Sequence, residues 1–139
     1  FDQTMTLMKR IISFSDKRLA AFIANSFREI FSYLSIDTEI LMSSDIPKDN
    51  SLRGKDKILQ ICEILGADTY YNAIGGQNLY DKKEFSEHGI VLNFVDTIPK
   101  VYSQLRTKEF VPYLSMIDVL MNNTKDEVND LLDSFCVRY

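Results

Sequence analysis

From Asp16 to Leu34 the apolar residues Leu19, Phe22, Ile23, Phe27, Ile30, Phe31 and Leu34 recur at steps of three and four. That spacing gathers them on one side of a 3.6-residue helix and predicts a long amphipathic helix with one buried face. Residues 38–44 (TEILMSS) are compatible with a short strand, and Pro47, Asp49, Asn50 and Ser51 behind them favour a turn and a helix start. The pattern then repeats. Ile58, Ile61, Cys62 and Leu65 share a helical face, and Gly66 stands where a left-handed cap residue belongs. Residues 68–74 (DTYYNAI) read as a strand ended by Gly75 and Gly76. In a third unit, residues 78–88 (NLYDKKEFSEH) make a shorter polar helix with Phe85 inward. Gly89 caps it, and residues 90–96 (IVLNFVD) carry the β-branched and aromatic density of a strand.

Strands separated by helices of this length are joined most simply by crossovers, because a hairpin needs only a tight turn and a crossover a dozen residues or more. The expected class is α/β: a small parallel sheet built from helix-strand units, covered by helices, in one domain over residues 1–139 or in the C-terminal portion of a larger one. Three parallel strands make a narrow sheet, and parallel sheets are normally buried, so a missing N-terminal part or an oligomer partner is expected to complete it. After Asp96 the segment with Pro99 and Pro112 has little periodicity and reads as a long ordered loop. Two helices are expected to close the chain. The second opens on Thr124-x-x-Glu127, a capping box, ahead of Val128, Leu131, Leu132 and Phe135.

Composition narrows the function classes. Sixteen Lys and Arg are scattered among twenty Asp and Glu, for a net charge of −4, which disfavours a phosphate-tracking nucleic-acid surface. No stretch reaches the roughly 20 apolar residues of a membrane span. Two cysteines, Cys62 and Cys136, form neither a disulfide framework nor a metal motif and suit a reducing, cytoplasmic setting. The lone histidine, His88, excludes a His-rich metal site and falls at a helix end, where a capping role is expected. No pattern names a metal or a cofactor.

Candidate chemistry lies in two places. Open parallel sheets bind ligands at the carboxyl ends of their strands. Ser43 and Ser44, Asn72 with Gly75 and Gly76, and Asp96 would line such a pocket, although the two glycines could equally serve a turn with positive φ. The second place is the apolar run of residues 110–123, interrupted at helical spacing by Ser115, Asp118 and Asn122. Ser115-x-x-Asp118 also reads as an approximate capping box, with Asp for the usual Glu or Gln. A weaker signal is the basic turn of Arg53, Lys55 and Lys57 at a helix start, either an anion site or a solvated turn; it lacks P-loop spacing.

The stretches GADTYYNAIGGQNLYD, YSQLRTKEFVPYLSMIDVLMNN and LSIDTEILMSSDIP together resemble the C-terminal part of the WbqC-like family, over residues 26–132. The matching positions include Ser43, Ser44, Tyr70, Gly75, Gly76, Tyr80, Gln104, Ser115, Asp118 and Asn122. The resemblance implies a role with bacterial surface-polysaccharide genes of the O-antigen type, in modifying or transferring groups onto nucleotide-linked or lipid-linked sugars. On that reading Asp118 would be the acid or base, Ser115 and Gln104 would orient substrate, and Tyr70 or Tyr80 would stack on a sugar or base ring. Two departures stand out. The family's opening His/Gln-Pro-x-Tyr-Leu-Pro-Trp motif does not occur here, and Asn123 and Thr124 follow the last motif where the family tends to place a Gly. The alternative reading is a non-catalytic binding or assembly subunit that docks a partner through the tyrosine-rich loop 101–113.

Overall fold

The computed structural model describes residues 1–105 and 108–139. Its regular elements, in chain order, are helix α1 (Asp2–Ile12), helix α2 (Leu19–Leu34), helix α3 (Gly54–Ile64), strand β1 (Thr69–Ala73), helix α4 (Lys82–Glu87), strand β2 (Val91–Thr97), helix α5 (Met116–Asn122), helix α6 (Lys125–Leu132) and strand β3 (Phe135–Arg138). They pack as two compact units, one of residues 1–41 and 99–134, the other of residues 42–98 and 135–139.

The first unit is helical. Helix α1, not foreseen from the sequence, buries Thr4, Leu7, Met8 and Ile11, the three- and four-residue spacing of an amphipathic helix. Leu7, Met8 and Ile11 form one core with Leu34, Leu120 and Val128. The Thr4 hydroxyl, buried with them, donates to the Leu120 carbonyl at 2.9 Å. Helix α2 matches the expected 16–34 pattern, but its apolar residues spread over too wide an arc for one partner. Phe22 and Ile30 pack on the core while Leu19, Ile23 and Phe27 remain exposed. Ser35 ends α2 in the left-handed region (φ 59°), and its hydroxyl accepts from the Lys125 ammonium at 2.7 Å. At α6 the expected capping box is complete: the Glu127 N–H donates to the Thr124 hydroxyl, and the Thr124 N–H donates to the Glu127 carboxylate at 2.7 Å.

The second unit is α/β. Strands β1 and β2 are parallel with Thr69 opposite Val91, as the helix-strand repeat predicts. Leu92 and Phe94 of β2 meet Leu59 and Cys62 of α3 and Phe85 of α4 in a second core. Gly66 (φ 64°) and Gly89 (φ 74°) end α3 and α4. In each case the following N–H reaches back five residues, Ala67 to Cys62 at 2.8 Å and Ile90 to Phe85 at 3.0 Å, so left-handed glycine turns satisfy the orphan carbonyls. His88 occupies the α4 cap as expected, its N–H on the Phe85 carbonyl, and its ring contacts Glu63 at 2.6 Å.

Two expectations fail here. Residues 38–44 form no strand: residues 36–42 are irregular and Ser43–Asp45 is a single 3-10 turn. The third place in the sheet goes instead to β3, antiparallel to β2 with Asp96 opposite Cys136. The apolar spacing puts Phe135 in the last helix, yet that helix stops at Leu132, because Phe135, Cys136 and Val137 have stronger sheet than helix preference and find the free edge of β2. Among the described residues no helix is long and apolar enough to cross a membrane.

Candidate functional site

The polar stripe of α5 is organised around Asp118. Its Oδ2 accepts from the Tyr102 hydroxyl at 2.6 Å and the Gln104 amide at 3.0 Å, and its Oδ1 accepts from the Asn122 amide at 3.0 Å. The second network member, Gln104, is buried and completes a reciprocal pair with one backbone position. Its Nε2 donates to the Val111 carbonyl at 2.9 Å and its Oε1 accepts from the Val111 N–H at 2.8 Å. Asn122 adds a further anchor by accepting from the Leu105 N–H at 3.0 Å. Tyr102 meets Phe110 edge-to-face with centroids 5.1 Å apart. Gln104 thus ties itself to Val111, and Asp118 and Asn122 fix Tyr102, Gln104 and Leu105 to α5. Arg106 and Thr107 of the tyrosine-rich loop lie outside the described residues. Burial first, and then the bond to Asp118, push the Tyr102 phenol up from its ordinary value, which keeps it a neutral donor.

This geometry corrects the capping-box reading of the stripe. Ser115 is the N-cap of α5 by position, but its side chain makes no capping bond; the Asp118 N–H donates to the Ser115 carbonyl at 2.9 Å instead. The Asp118 side chain is turned to the loop, whose donors outnumber anything Ser115 offers. The structure therefore brings Gln104, Asp118 and Asn122 together and leaves the Ser115 hydroxyl out of their network.

In the α/β unit, Tyr70 and Tyr80 come together around the fully buried Phe85. Tyr70 stacks on Phe85 at 5.6 Å and meets Tyr80 edge-to-face at 6.0 Å, and Tyr80 meets Phe85 edge-to-face at 5.8 Å. Both rings are partly buried and have aromatic partners in the core of this unit. Burial, with the neighbouring Tyr80, pushes the Tyr70 phenol up to about 12.

Asn72 sits at the carboxyl end of β1, where its Oδ1 accepts from the Ala73 N–H at 2.7 Å. Neither Gly75 nor Gly76 has a positive φ, which removes the turn explanation. Gly76 is instead a close approach, since a Cβ there would lie 3.0 Å from the Asn72 side chain, whereas one at Gly75 would meet open space. Asp96, at the same end of the sheet, accepts from the Arg138 guanidinium at 3.0 Å and is committed to the β2–β3 pairing. Ser43 and Ser44 do not follow a strand. The Ser44 hydroxyl donates to Asp45 at 3.1 Å, and the Lys48 ammonium donates to the Ser43 carbonyl. In the basic turn, Arg53 donates to the carbonyls of Asn50 and Leu52 and Lys55 pairs with Glu84 of α4, so both cations have local partners.

A cavity of about 370 Å³ in the helical unit escaped the sequence reading. It lies between the first turn of α1, Tyr33 of α2 and the α5–α6 junction from Met121 to Lys125. Finding it needed α1, whose apolar periodicity at Leu7, Met8 and Ile11 was available in the sequence as the signal. Among the described residues no group of three or more His, Cys, Asp or Glu is placed to hold a metal ion.

No curated protein and no solved structure matches the chain. The sequence profile of the WbqC-like protein family matches residues 1–130, extending the resemblance seen over residues 26–132 through α1 to the start of the chain and taking in the Asp118 network. With nearly its whole length inside that match, the chain belongs to the WbqC-like protein family.

Proposed function

We propose that this chain is part of a cytoplasmic, transferase-like enzyme of bacterial surface-polysaccharide biosynthesis of the O-antigen type, acting on a nucleotide-linked or lipid-linked sugar. The observation that carries the reading is the family match over residues 1–130. Within that reading the Asp118 network sets the roles. A carboxylate offers about four lone-pair sites, and three are held by Tyr102, Gln104 and Asn122. A carboxylate so occupied is better suited to positioning than to taking a proton from substrate. Asp118 is therefore a positioning residue that holds Tyr102 and Gln104 against α5. The candidate substrate contacts Ser43, Ser44, Asn72, Gly75 and Gly76 belong to the same proposal, with Asn72 and Gly76 forming one packed corner after β1.

The test replaces Tyr102 by Phe and Asp118 by Asn in the full-length protein and measures surface polysaccharide. Both variants should lower it to a similar degree, because each releases the same loop. A folded Y102F/D118N double variant that makes the normal amount would remove the network from the function.

A second reading, a non-catalytic binding or assembly subunit, is favoured by one observation: Tyr113 is 76% exposed and is held at φ 59°, an unusual backbone conformation for a non-glycine residue. Loss of a co-purifying partner on Tyr113→Ser, with turnover retained, would select that reading.

A further inference from the structure

We propose that the cavity between α1 and the α5–α6 junction binds one uncharged, polyhydroxylated ring of monosaccharide size, the sugar portion of the linked substrate. The inference rests on the function proposed above and assigns its sugar a place. The volume, about 370 Å³, lies at the small end of ligand clefts, which run from roughly 300 to 1,000 Å³.

The chemistry of the lining decides the ligand class. Most polar groups singled out by sequence are spent on internal partners: the Asp118 carboxylate on three donors, Asp96 on Arg138, Lys55 on Glu84. Around this cavity Thr4, Asn122, Asn123, Thr124, Lys125 and Glu127 also have partners within the chain, but three polar lining side chains do not. The Tyr33 hydroxyl, the Gln3 amide and the Asp2 carboxylate have no hydrogen-bond partner among the described residues. Lys125 donates to the Ser35 hydroxyl, leaving further ammonium hydrogens for a ligand. These groups mix donors and acceptors, and a ring of hydroxyls, each both donor and acceptor, satisfies such a set.

An anion is disfavoured, because the lining sets two carboxylates, Asp2 and Glu127, against the one side-chain ammonium of Lys125. The Tyr33 ring and the Met121 side chain supply apolar surface suited to the C–H face of a sugar. Asn122, which lines the cavity, is also bonded to Asp118, so the proposed ring site and the loop anchor share a residue.

The experiment titrates the ¹⁵N-labelled chain with free hexoses and N-acetylhexosamines to roughly 50 mM, where even a millimolar site is saturated. Sodium phosphate serves as the anionic comparison. The amide signals of Gln3, Thr4, Tyr33, Asn123 and Lys125 should move with at least one sugar and not with phosphate. Static signals, movement confined to other residues, or a response to phosphate alone would overturn the proposal. The double variant Gln3→Ala/Tyr33→Phe keeps the ring of Tyr33 and changes an exposed amide, so the fold should hold, as an otherwise unchanged spectrum would verify. It should weaken sugar binding roughly tenfold; unchanged affinity would overturn the assignment. Sugar binding here, with normal polysaccharide from the Y102F/D118N protein, would leave the site standing and remove the reading it rests on. Static amides together with lost polysaccharide would do the opposite.

Discussion

Replacing Asp118 by Asn preserves shape and removes one acceptor, which makes it a sensitive probe of how firmly Tyr102 and Gln104 are held. The best arrangement of the introduced amide keeps its carbonyl toward Tyr102 and Gln104 and turns its NH2 toward the Asn122 amide, so a donor faces a donor where a 3.0 Å bond existed. The remaining two bonds change from charge-assisted to neutral, which roughly halves their strength. A hydrogen bond to a charged group contributes roughly 1.5–3 kcal/mol net, with the lower end appropriate to a half-buried site, so the summed loss should be about 2 kcal/mol.

Two measurements follow. Urea unfolding of the variant should show the drop in stability directly. Exchange of the Leu105 and Val111 amide hydrogens, which are held by the Asn122 and Gln104 side chains, should quicken by roughly 30-fold if they open through the same event. Ser115→Ala is the internal control: with no side-chain cap bond to lose, it should stay within roughly 0.5 kcal/mol of the parent. A D118N loss below about 0.5 kcal/mol, or an S115A loss as large as that of D118N, would refute the reasoning and restore the capping explanation.

Gly76→Ala should destabilise the α/β unit by about 1–2 kcal/mol, because its Cβ displaces the Asn72 side chain, whereas Gly75→Ala should be nearly neutral; thermal melts of the two side by side decide. Gly66→Ala and Gly89→Ala meet no steric obstacle but force alanine into the left-handed region, so each should cost about 1–2 kcal/mol in the same assay. Tyr70 has a folded pKa of about 12, above its unfolded value, so its neutral form favours the folded state; that contribution is complete below about pH 10 and is lost as pH rises toward 12. Stability should therefore fall over that window, and Tyr70→Phe should flatten the fall. The Thr124 backbone and hydroxyl bonds hold the Glu127 carboxyl below its ordinary value, so its contribution is present above the unfolded pKa and lost as pH falls through the folded one. Thr124→Val should reduce the acid sensitivity of α6 as followed by amide exchange.

What the sequence determined by itself is what short-range chemistry controls. The periodicity of α2 and α3, the left-handed glycines at 66 and 89, the Thr124–Glu127 box and the parallel pair β1–β2 all depend on residues within a few positions or within one crossover. The WbqC-like motifs were likewise visible as ordered local strings, and they led to the family.

Only the tertiary structure decided which partners the polar side chains of the α5 stripe take. Asp118 has a local candidate three residues away in Ser115 and takes instead Tyr102 and Gln104, 16 and 14 residues away, because the loop presents two donors to it against one. Tyr70 and Tyr80 are separate positions in the sequence, and only the fold gathers them with Phe85 into one aromatic cluster. The sheet's third strand was misplaced for the same reason. Residues 38–44 and 135–138 both carry strand-forming side chains, and a strand exists only where an unpaired edge meets it; β2 offers that edge to Phe135–Arg138, at a separation along the chain that no local pattern encodes.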